Sequence, residues 1–236
     1  MSEPIKEFRV LTSGAFTAAL VALTPSLESV LGKRVIAAST SIGIGESYIP
    51  TRLKRGEIAD LVIVADDVLR DCVSDGLVLA AAYTPLVISL IGMAVRQSAP
   101  KPDISTVEAF KQTLLNAKSI TYLKEGASTI HLRKLFVQLG VADAVKQKAV
   151  ETDGEQVSEF VAEGKVELGL IVTPNIMSVP GAELVGSLPA EINSIVMFTA
   201  GVSAQSPNQK AASDLIKLLT SPEAKPVIKA KGNDPA

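Results

Sequence analysis

The sequence predicts an α/β protein with two lobes, each a mainly parallel sheet flanked by helices. Two continuous apolar runs rich in β-branched residues, Leu61–Ala65 and Leu168–Thr173, lie between helical patterns and turn residues, which is typical of strands buried on both faces. A rigid polar loop, Ser98–Asp103, separates a first set of alternating strands and helices from a second set. Aromatic residues make up only 4% of the chain, so Ala, Val, Leu and Ile must build most of the core.

The first lobe is predicted from apolar runs that alternate with helical periodicity. Strands are expected at Phe8–Thr12, Arg34–Ala38 and Leu61–Ala65, and helices at Ala15–Leu31 and Asp67–Gly76. Ile49 and Leu53 at helical spacing predict a short helix that ends before Gly56. Pro25 stands inside the first long helix and predicts a kink or a break there, because proline removes a backbone hydrogen bond.

The second lobe repeats this alternation without repeating the sequence. It is predicted to contain strands at Pro85–Arg96, Ser119–Leu123 and Leu168–Thr173, another strand that begins near Val150, and helices at Thr106–Leu115, Ser128–Leu139 and Gln156–Glu163. A long strand, Glu191–Ala204, and a helix, Pro207–Leu219, follow. Gly92 and Gly201 lie inside the two long strands and mark either hinges or places where another group approaches the backbone closely.

The composition of this 236-residue chain disfavours several classes of partner and of binding site. The formal net charge is −2 with no basic block, which disfavours nucleic acid and anionic membranes as partners. The apolar run Leu86–Val95 is too short to span a bilayer. A single cysteine, Cys72, excludes an internal disulfide and is expected to be a small buried hydrophobe. With one Cys and one His, a metal site built from these residues is excluded, and no cofactor is expected.

Three segments carry a resemblance to a known family. The segment Gly56–Asp66 (GEIADLVIVAD), the run Leu219–Ala224 and the tail Lys231–Ala236 resemble the molybdate-binding-protein-like branch of the periplasmic solute-binding proteins. The resemblance implies a type II periplasmic-binding-protein fold in which two long strands, here Pro85–Arg96 and Glu191–Ala204, cross between the lobes. It therefore implies lobes at 1–84 with 197–236 and at 85–196, and a ligand cleft between them.

Four polar loops that follow strands are the candidate binding loops, because α/β proteins hold ligands at the carboxyl ends of their strands. They lie at residues 12–14, 39–47, 124–131 and 173–175. Hydroxyls and free backbone N–H groups before a helix can hold an anion, although each loop taken alone can equally be an ordinary helix cap. Arg52 and Lys124 could add positive charge, or could be solvated surface residues like Lys54 and Arg55. The candidate ligand-binding residues are Ser13, Gly14, Ser39, Thr40, Ser41, Ser47, Arg52, Lys124, Ser128, Thr129, Thr173 and Asn175.

The resemblance also bears on the kind of anion. Molybdate binders of the family hold the oxyanion with serine hydroxyls, and the first of these positions falls on Ala15, with Ser13 two residues earlier. The second falls near Ser47, after an enlarged loop. One hydroxyl is thus lost, which favours a larger organic anion over tetrahedral molybdate.

Two functions follow from the resemblance. The first is a small-anion binding protein of the ABC-transporter type, with a permease as partner if the protein is exported. The alternative is a cofactor-independent isomerase, similar to aconitate isomerase, which moves a double bond in an unsaturated carboxylate. Such a shift needs proton-transfer groups, for which His131, predicted in the first turn of its helix, and Glu46 are the candidates. As a lone histidine, His131 can equally be a packing residue.

The start of the sequence bears on localisation. Met1-Ser2-Glu3-Pro4 leads into the first strand without the charged and apolar regions of a signal peptide. We therefore expect a cytoplasmic protein, or a periplasmic one if the chain is a processed mature form.

Overall fold

The computed structural model describes residues 7–40, 46, 48–152 and 156–236, and it describes Ser39 and Thr40 by their backbone. Its strands are β1 (Glu7–Ser13), β2 (Arg34–Thr40), β3 (Leu61–Ala65), β4 (Thr84–Arg96), β5 (Ile120–Leu123), β6 (Ala149–Thr152), β7 (Leu168–Val172), β8 (Ala182–Ser187), β9 (Ile195–Val202) and β10 (Asp234–Pro235). Its helices are α1 (Gly14–Leu31), α2 (Ile49–Lys54), α3 (Asp66–Ser74), α4 (Val107–Asn116), α5 (Ala127–Gln138), α6 (Ala142–Lys146), α7 (Gln156–Ala162), α8 (Thr173–Met177), α9 (Gln209–Leu219) and α10 (Ala224–Ala230).

The chain divides into two compact units. Unit 1 comprises Met1–Ile88 and Met197–Ala236, and unit 2 comprises Ser89–Val196. The chain leaves unit 1 within β4 and returns to it within β9. Each unit combines a mainly parallel sheet with helices, so the predicted α/β fold class is confirmed.

Unit 1 is built on the strand order β2-β1-β3-β9. The first three strands are parallel, and β9 runs antiparallel to β3. Because β1 and β2 pair in register up to Ser13 and Thr40, their carboxyl ends lie side by side at one edge of the sheet. One core cluster of this unit joins Leu53, Leu69 and the buried Cys72, and burial raises the pKa of that thiol to about 11. Cys72 is thus the small buried hydrophobe that the sequence predicts.

Helix α1 runs through Pro25 without interruption, so the predicted break into two helices is wrong. Its buried side chains include Phe16, Leu20, Leu23 and Leu27, and within unit 1 it contacts β1, β2, α9 and α10. Among the described helices, α1 is long and apolar enough to cross a membrane, with a mean hydropathy of 1.4 over 18 residues. Core helices of soluble proteins and N-terminal signal sequences share these properties, and 39% of this window is buried in the structure.

Unit 2 is built on the parallel strands β6, β5 and β7, with β5 in the middle. Strand β4 runs antiparallel to β7 on one side and to β8 on the other. The core of this unit includes Phe110, Leu132 and the edge-to-face pair of Tyr122 and Phe136, whose ring centroids are 5.6 Å apart. The carboxyl ends of β6, β5 and β7 therefore share one edge of the sheet.

The structure differs from the sequence prediction mainly in short elements. Strand β8 and helices α6 and α10 were not predicted, and α8 was predicted as a loop. Helices of five to seven residues contain too few turns to show a hydrophobic period. The predicted strand Glu191–Ala204 begins only at Ile195.

The two strand glycines lie where another side chain approaches the backbone. A Cβ atom on Gly92 would stand 2.8 Å from Thr173 Cγ2, and one on Gly201 would stand 2.5 Å from Val78 Cγ1. Real Cβ atoms are not found this close to other heavy atoms. Of the two interpretations of Gly92 and Gly201, the structure therefore favours close approach.

Candidate functional site

The unit 1 candidate site begins at Ser13, which ends β1 and directly precedes α1. Its extended backbone (φ −70°, ψ 154°) is that of a helix N-cap residue, yet its side chain makes no capping hydrogen bond. Its Oγ is buried and has no hydrogen-bond partner among the described residues. Gly14, the first residue of the helix, is also buried. An N-cap hydroxyl without a partner, beside the free N–H groups of an 18-residue helix, offers several donors to an anion.

The loop after β2 is described only in part. Ser39 and Thr40 end the strand and pair in register with Thr12 and Ser13. Ser41 and Ser47 lie outside the described residues. The backbone therefore places Ser39 and Thr40 next to Ser13 at the sheet edge, and the ligand role of all four stays a prediction.

Arg52 is engaged by an acid of its own segment. Its Nε and Nη2 donate to the two carboxylate oxygens of Glu57 at 2.6 and 2.5 Å. This bidentate pairing lowers the pKa of Glu57. An anion would therefore compete with Glu57 for this guanidinium, which disfavours Arg52 as a primary ligand contact.

Glu46, the second candidate for proton transfer, lies on the surface. Its carboxylate is 3.4 Å from Arg55 Nη2, and 88% of its side chain is exposed. A carboxylate this exposed is not held in a fixed position by surrounding groups, which disfavours it as a general base.

Sequence reasoning missed a partly buried hydrogen-bond network at Asp66, the first residue after β3. Its Oδ1 accepts hydrogen bonds from the hydroxyl groups of Tyr83 and Thr199, the latter at 2.7 Å, and its Oδ2 accepts from Arg70 Nη2 at 2.6 Å. Burial alone would raise the pKa of Asp66, but these bonds outweigh it and lower that pKa. The GEIADLVIVAD segment marks Asp66 in the sequence, whereas nothing local marks Thr199, 133 residues away.

In unit 2, the polar residues after β5 divide between buried and exposed positions. Thr129 is buried, and its hydroxyl lies 2.9 Å from the carbonyl oxygen of Leu123 and 3.1 Å from that of Glu125. These contacts use its only proton to fix the start of α5, which disfavours Thr129 as a donor to a ligand. Ser128 is also buried in the first turn of α5, while Lys124 is exposed and its backbone N–H donates to Thr152 O.

His131 is the fifth residue of α5, one position further into the helix than in the predicted helix Ser128–Leu139. Its Nε2 lies 2.8 Å from the carbonyl oxygen of Ile192. Because a carbonyl only accepts, Nε2 carries the proton, and in the neutral ring Nδ1 keeps the free lone pair. His131 thus has a fixed ring orientation and one nitrogen that can still accept a proton.

Two further polar groups lie beyond the carboxyl ends of β6 and β7 in unit 2. Asn175 in α8 is 3% exposed, and its Oδ1 has no hydrogen-bond partner in the described part of the chain. Thr152, which was not predicted, ends β6, is equally buried, and has an Oγ1 without a partner in the same residue ranges. Thr173 opens α8 and is buried. Buried polar atoms are hydrogen-bonded in most proteins, so Asn175 Oδ1 and Thr152 Oγ1 are candidates for contact with a ligand or a bound water molecule.

A family model for bacterial extracellular solute-binding proteins matches residues 8–233. The chain belongs to this family. The match runs from the second residue of β1, Phe8, to the buried Asn233. The solute-binding family thus accounts for the architecture of both units, while the ligand has to be inferred from the residues at the sheet edges.

The proteins to which this chain is similar have names that state different functions. The chain is 34% identical over 236 residues to the aconitate isomerase of Pseudomonas sp., with 99% of this chain and 90% of that protein covered. Among solved structures, it is similar to the periplasmic molybdate-binding protein of Azotobacter vinelandii, at a TM-score of 0.78 and 18% identity, covering 96% of this chain and 98% of the other. It is also similar to AgtB of A. tumefaciens R10 in complex with agropinic acid, at a TM-score of 0.71 and 13% identity, covering 99% and 84% of the two chains. At these identities the structures establish the fold alone.

The polar groups at these sites are mainly neutral hydrogen-bonding groups. Hydroxyls, an amide and helix N–H groups predominate, and no group of three or more His, Cys, Asp or Glu side chains could hold a metal ion in the part of the chain that the structure describes. Hydrogen-bond donors of this kind suit oxyanions and carboxylates.

Proposed function

We propose that this solute-binding-family protein binds a small organic polycarboxylate. The observation that carries the proposal is the buried, unpartnered hydroxyl of Ser13 at the N-terminus of α1. A buried donor without a partner costs free energy in the ligand-free fold, and a carboxylate oxygen would satisfy it. The positive end of the helix dipole favours negative charge at the same point.

The choice of a carboxylate over molybdate rests on two arguments. The position at which molybdate binders carry their first serine is Ala15 in this chain. The relative that is 34% identical along nearly its whole length is named for an organic tricarboxylate, whereas the molybdate-binding protein is 18% identical. Aconitate is therefore the first ligand to test. A cleft between the lobes, an ABC permease as partner and the cellular compartment stay predictions.

A melting-shift screen tests the proposal. The purified protein is heated with trans-aconitate, cis-aconitate, tricarballylate, citrate, sulfate and molybdate at matched ionic strength. Binding to the native state alone stabilises it by about 2.7 kcal/mol when free ligand exceeds Kd a hundredfold. A shift with a polycarboxylate that is reduced in Ser13→Ala supports the proposal. A shift with molybdate alone, or with none of these anions, overturns it. The exposed Ser187→Ala serves as the matched control.

The second candidate function is isomerisation of the bound carboxylate. It is favoured by the name of the 34% identical relative and by the fixed ring of His131. The reaction moves a double bond: a base removes a proton from a saturated carbon, the electron pair shifts through the allylic system, and a proton is added to the far carbon. Nδ1 of His131 is the first candidate base, since Nε2 is committed to Ile192. Glu46 follows, although its exposure makes it the weaker candidate.

Turnover in deuterated water separates catalysis from binding. The protein is incubated with trans-aconitate, and NMR follows the appearance of cis-aconitate and of deuterium in either isomer. His131→Gln is the sharpest variant, because its amide can still donate to the Ile192 carbonyl but cannot act as a base. Loss of turnover with retained binding supports the role of His131, and Glu46→Gln is the comparison. Binding without cis-product or deuterium incorporation in the wild-type protein overturns the isomerase assignment.

A further inference from the structure

We propose that the preferred ligand carries a hydroxyl group beside its carboxylates, and that Asn175 recognises this hydroxyl. The inference rests on the proposed function and names the substrate class more closely. It begins from Asn175 Oδ1, a buried acceptor without a partner in the described ranges of the chain. Because 97% of the residue surface is covered (it is 3% exposed), bulk water does not satisfy this oxygen.

A hydrogen-bond acceptor on the protein selects a different ligand chemistry from that selected by a donor. A carboxylate and a fully deprotonated oxyanion such as molybdate accept hydrogen bonds but donate none. Neither can satisfy an amide oxygen. A hydroxyl on the ligand can, because it donates one proton and still accepts through its oxygen. The orphan acceptor thus favours a hydroxy acid over the same acid without the hydroxyl.

The position of Asn175 is suited to recognising one functional group of a small carboxylic acid. It lies three residues beyond the carboxyl end of β7, at the edge of the unit 2 sheet where Thr152 ends β6. The ends of these two strands are separated by β5, which places them two strand spacings, about 10 Å, apart. The unpartnered Thr152 hydroxyl can donate to a carboxylate at the same edge.

Citrate and tricarballylate make the decisive pair of probes. They share three carboxylates and one carbon skeleton and differ by a single hydroxyl. Isothermal titration of the full chain with each gives the ratio of their dissociation constants. We expect citrate to bind roughly tenfold more tightly, the value of one well-formed hydrogen bond to a buried group. Equal affinities, or binding of aconitate but of neither probe, overturn this inference and leave the proposed function intact, whereas no melting shift with any polycarboxylate of the screen overturns the proposed function itself.

Two variants show whether Asn175 is the group responsible. Asn175→Leu removes the amide oxygen at similar side-chain volume. It should bring the ratio of the citrate and tricarballylate dissociation constants close to one. Asn175→Asp keeps an acceptor but adds negative charge, so both acids should bind more weakly while citrate keeps its advantage. If the amide instead donates to a carboxylate, the wild-type ratio is already one and the Asp variant lowers both affinities. A melting curve of each variant checks the fold, and the exposed Asn116→Leu is the matched control. Retention of the full citrate preference in a folded Asn175→Leu protein overturns the assignment.

Discussion

The side-chain amide of Asn233 donates from Nδ2 to the carbonyl oxygen of Ala15 at 2.9 Å, across 218 residues of sequence. Asn233 is 1% exposed, so the bond is shielded from water. It links the C-terminal tail to the first turn of α1, two residues from Ser13. The tail that carries part of the family resemblance thus supports the helix start that we propose as an anion site.

Replacing Asn233 with Ala should destabilise unit 1. The substitution removes the bond from the tail, while the Ala15 carbonyl keeps its intrahelical hydrogen bond within α1, so the loss should be about 1 kcal/mol. Urea denaturation followed by circular dichroism measures this loss. Asn116→Ala, at an exposed helix end, is the control and should have a midpoint close to that of the wild-type protein. Indistinguishable midpoints for the two variants would contradict the structural role of Asn233.

A second prediction concerns the pH dependence of the Asp66 network. The bonds from Tyr83, Thr199 and Arg70 hold the pKa of Asp66 below its ordinary value of 3.8. A carboxyl group whose pKa is lowered by folding stabilises the protein above its unfolded pKa, and this stabilisation is lost as the pH falls through the folded pKa. Thr199→Val removes one donor at nearly constant shape. We expect it to cost about 1 kcal/mol at pH 7 and less at pH 3.

The control for this prediction is Thr24→Val. The Thr24 hydroxyl donates to the neutral carbonyl of Leu20 at 2.9 Å, so its loss should have the same effect at both pH values. Urea midpoints of the two variants and the wild-type protein, measured at pH 7 and pH 3, give the comparison. A Thr199→Val effect that is constant or larger in acid would show that Asp66 does not depend on this hydroxyl.

The sequence predicted what depends on local pattern. The run at Leu61–Ala65 is strand β3 residue for residue, because a fully buried parallel strand needs an unbroken apolar run. Ser13 was predicted directly after a strand at Phe8–Thr12, and it is the last residue of β1. The pattern could not show that the Ser13 hydroxyl lacks a partner, nor that Arg52 is paired with Glu57. Both facts depend on side-chain positions that no periodicity encodes.

Long-range pairings explain the other misses. Thr199 and Asp66 meet because β9 runs antiparallel to β3, a strand order that cannot be read from composition. Asn175 was predicted in a polar loop, whereas it lies in a five-residue helix that is too short to show a period. The site residues were thus found by type and strand position, while their individual roles required the fold.

Substitution of Gly201 provides a third prediction. A Cβ atom there would stand 2.5 Å from Val78 Cγ1 and 3.3 Å from Leu69 Cδ2, both in the core of unit 1. Gly201→Ala should therefore force the core apart and cost about 1–3 kcal/mol. The control is Gly186→Ala, where the nearest atom is Ile104 Cδ1 at an ordinary 3.8 Å. If Gly201→Ala melted at the same temperature as the control, the interpretation that side chains approach the Gly201 backbone closely would be wrong. The hinge interpretation of Gly201 would then be favoured.

The last prediction separates ligand binding from stability at Ser13. Because its buried hydroxyl has no partner among the described residues, Ser13→Ala removes an unsatisfied group and should raise the free energy of unfolding by about 1 kcal/mol. The same change removes a donor to the proposed carboxylate and should weaken binding about tenfold. Urea denaturation without ligand and titration with the polycarboxylate that gives the largest melting shift measure the two effects.

A substitution that raises the free energy of unfolding but weakens ligand binding indicates a side chain that serves binding at a cost in stability. Ser187→Ala, at an exposed position at the end of β8, should change neither quantity. If Ser13→Ala lost stability, the hydroxyl would already be bonded in the ligand-free protein. If it gained stability but kept full affinity, the ligand would not contact Ser13, and the anion site would have to lie elsewhere than at the start of α1.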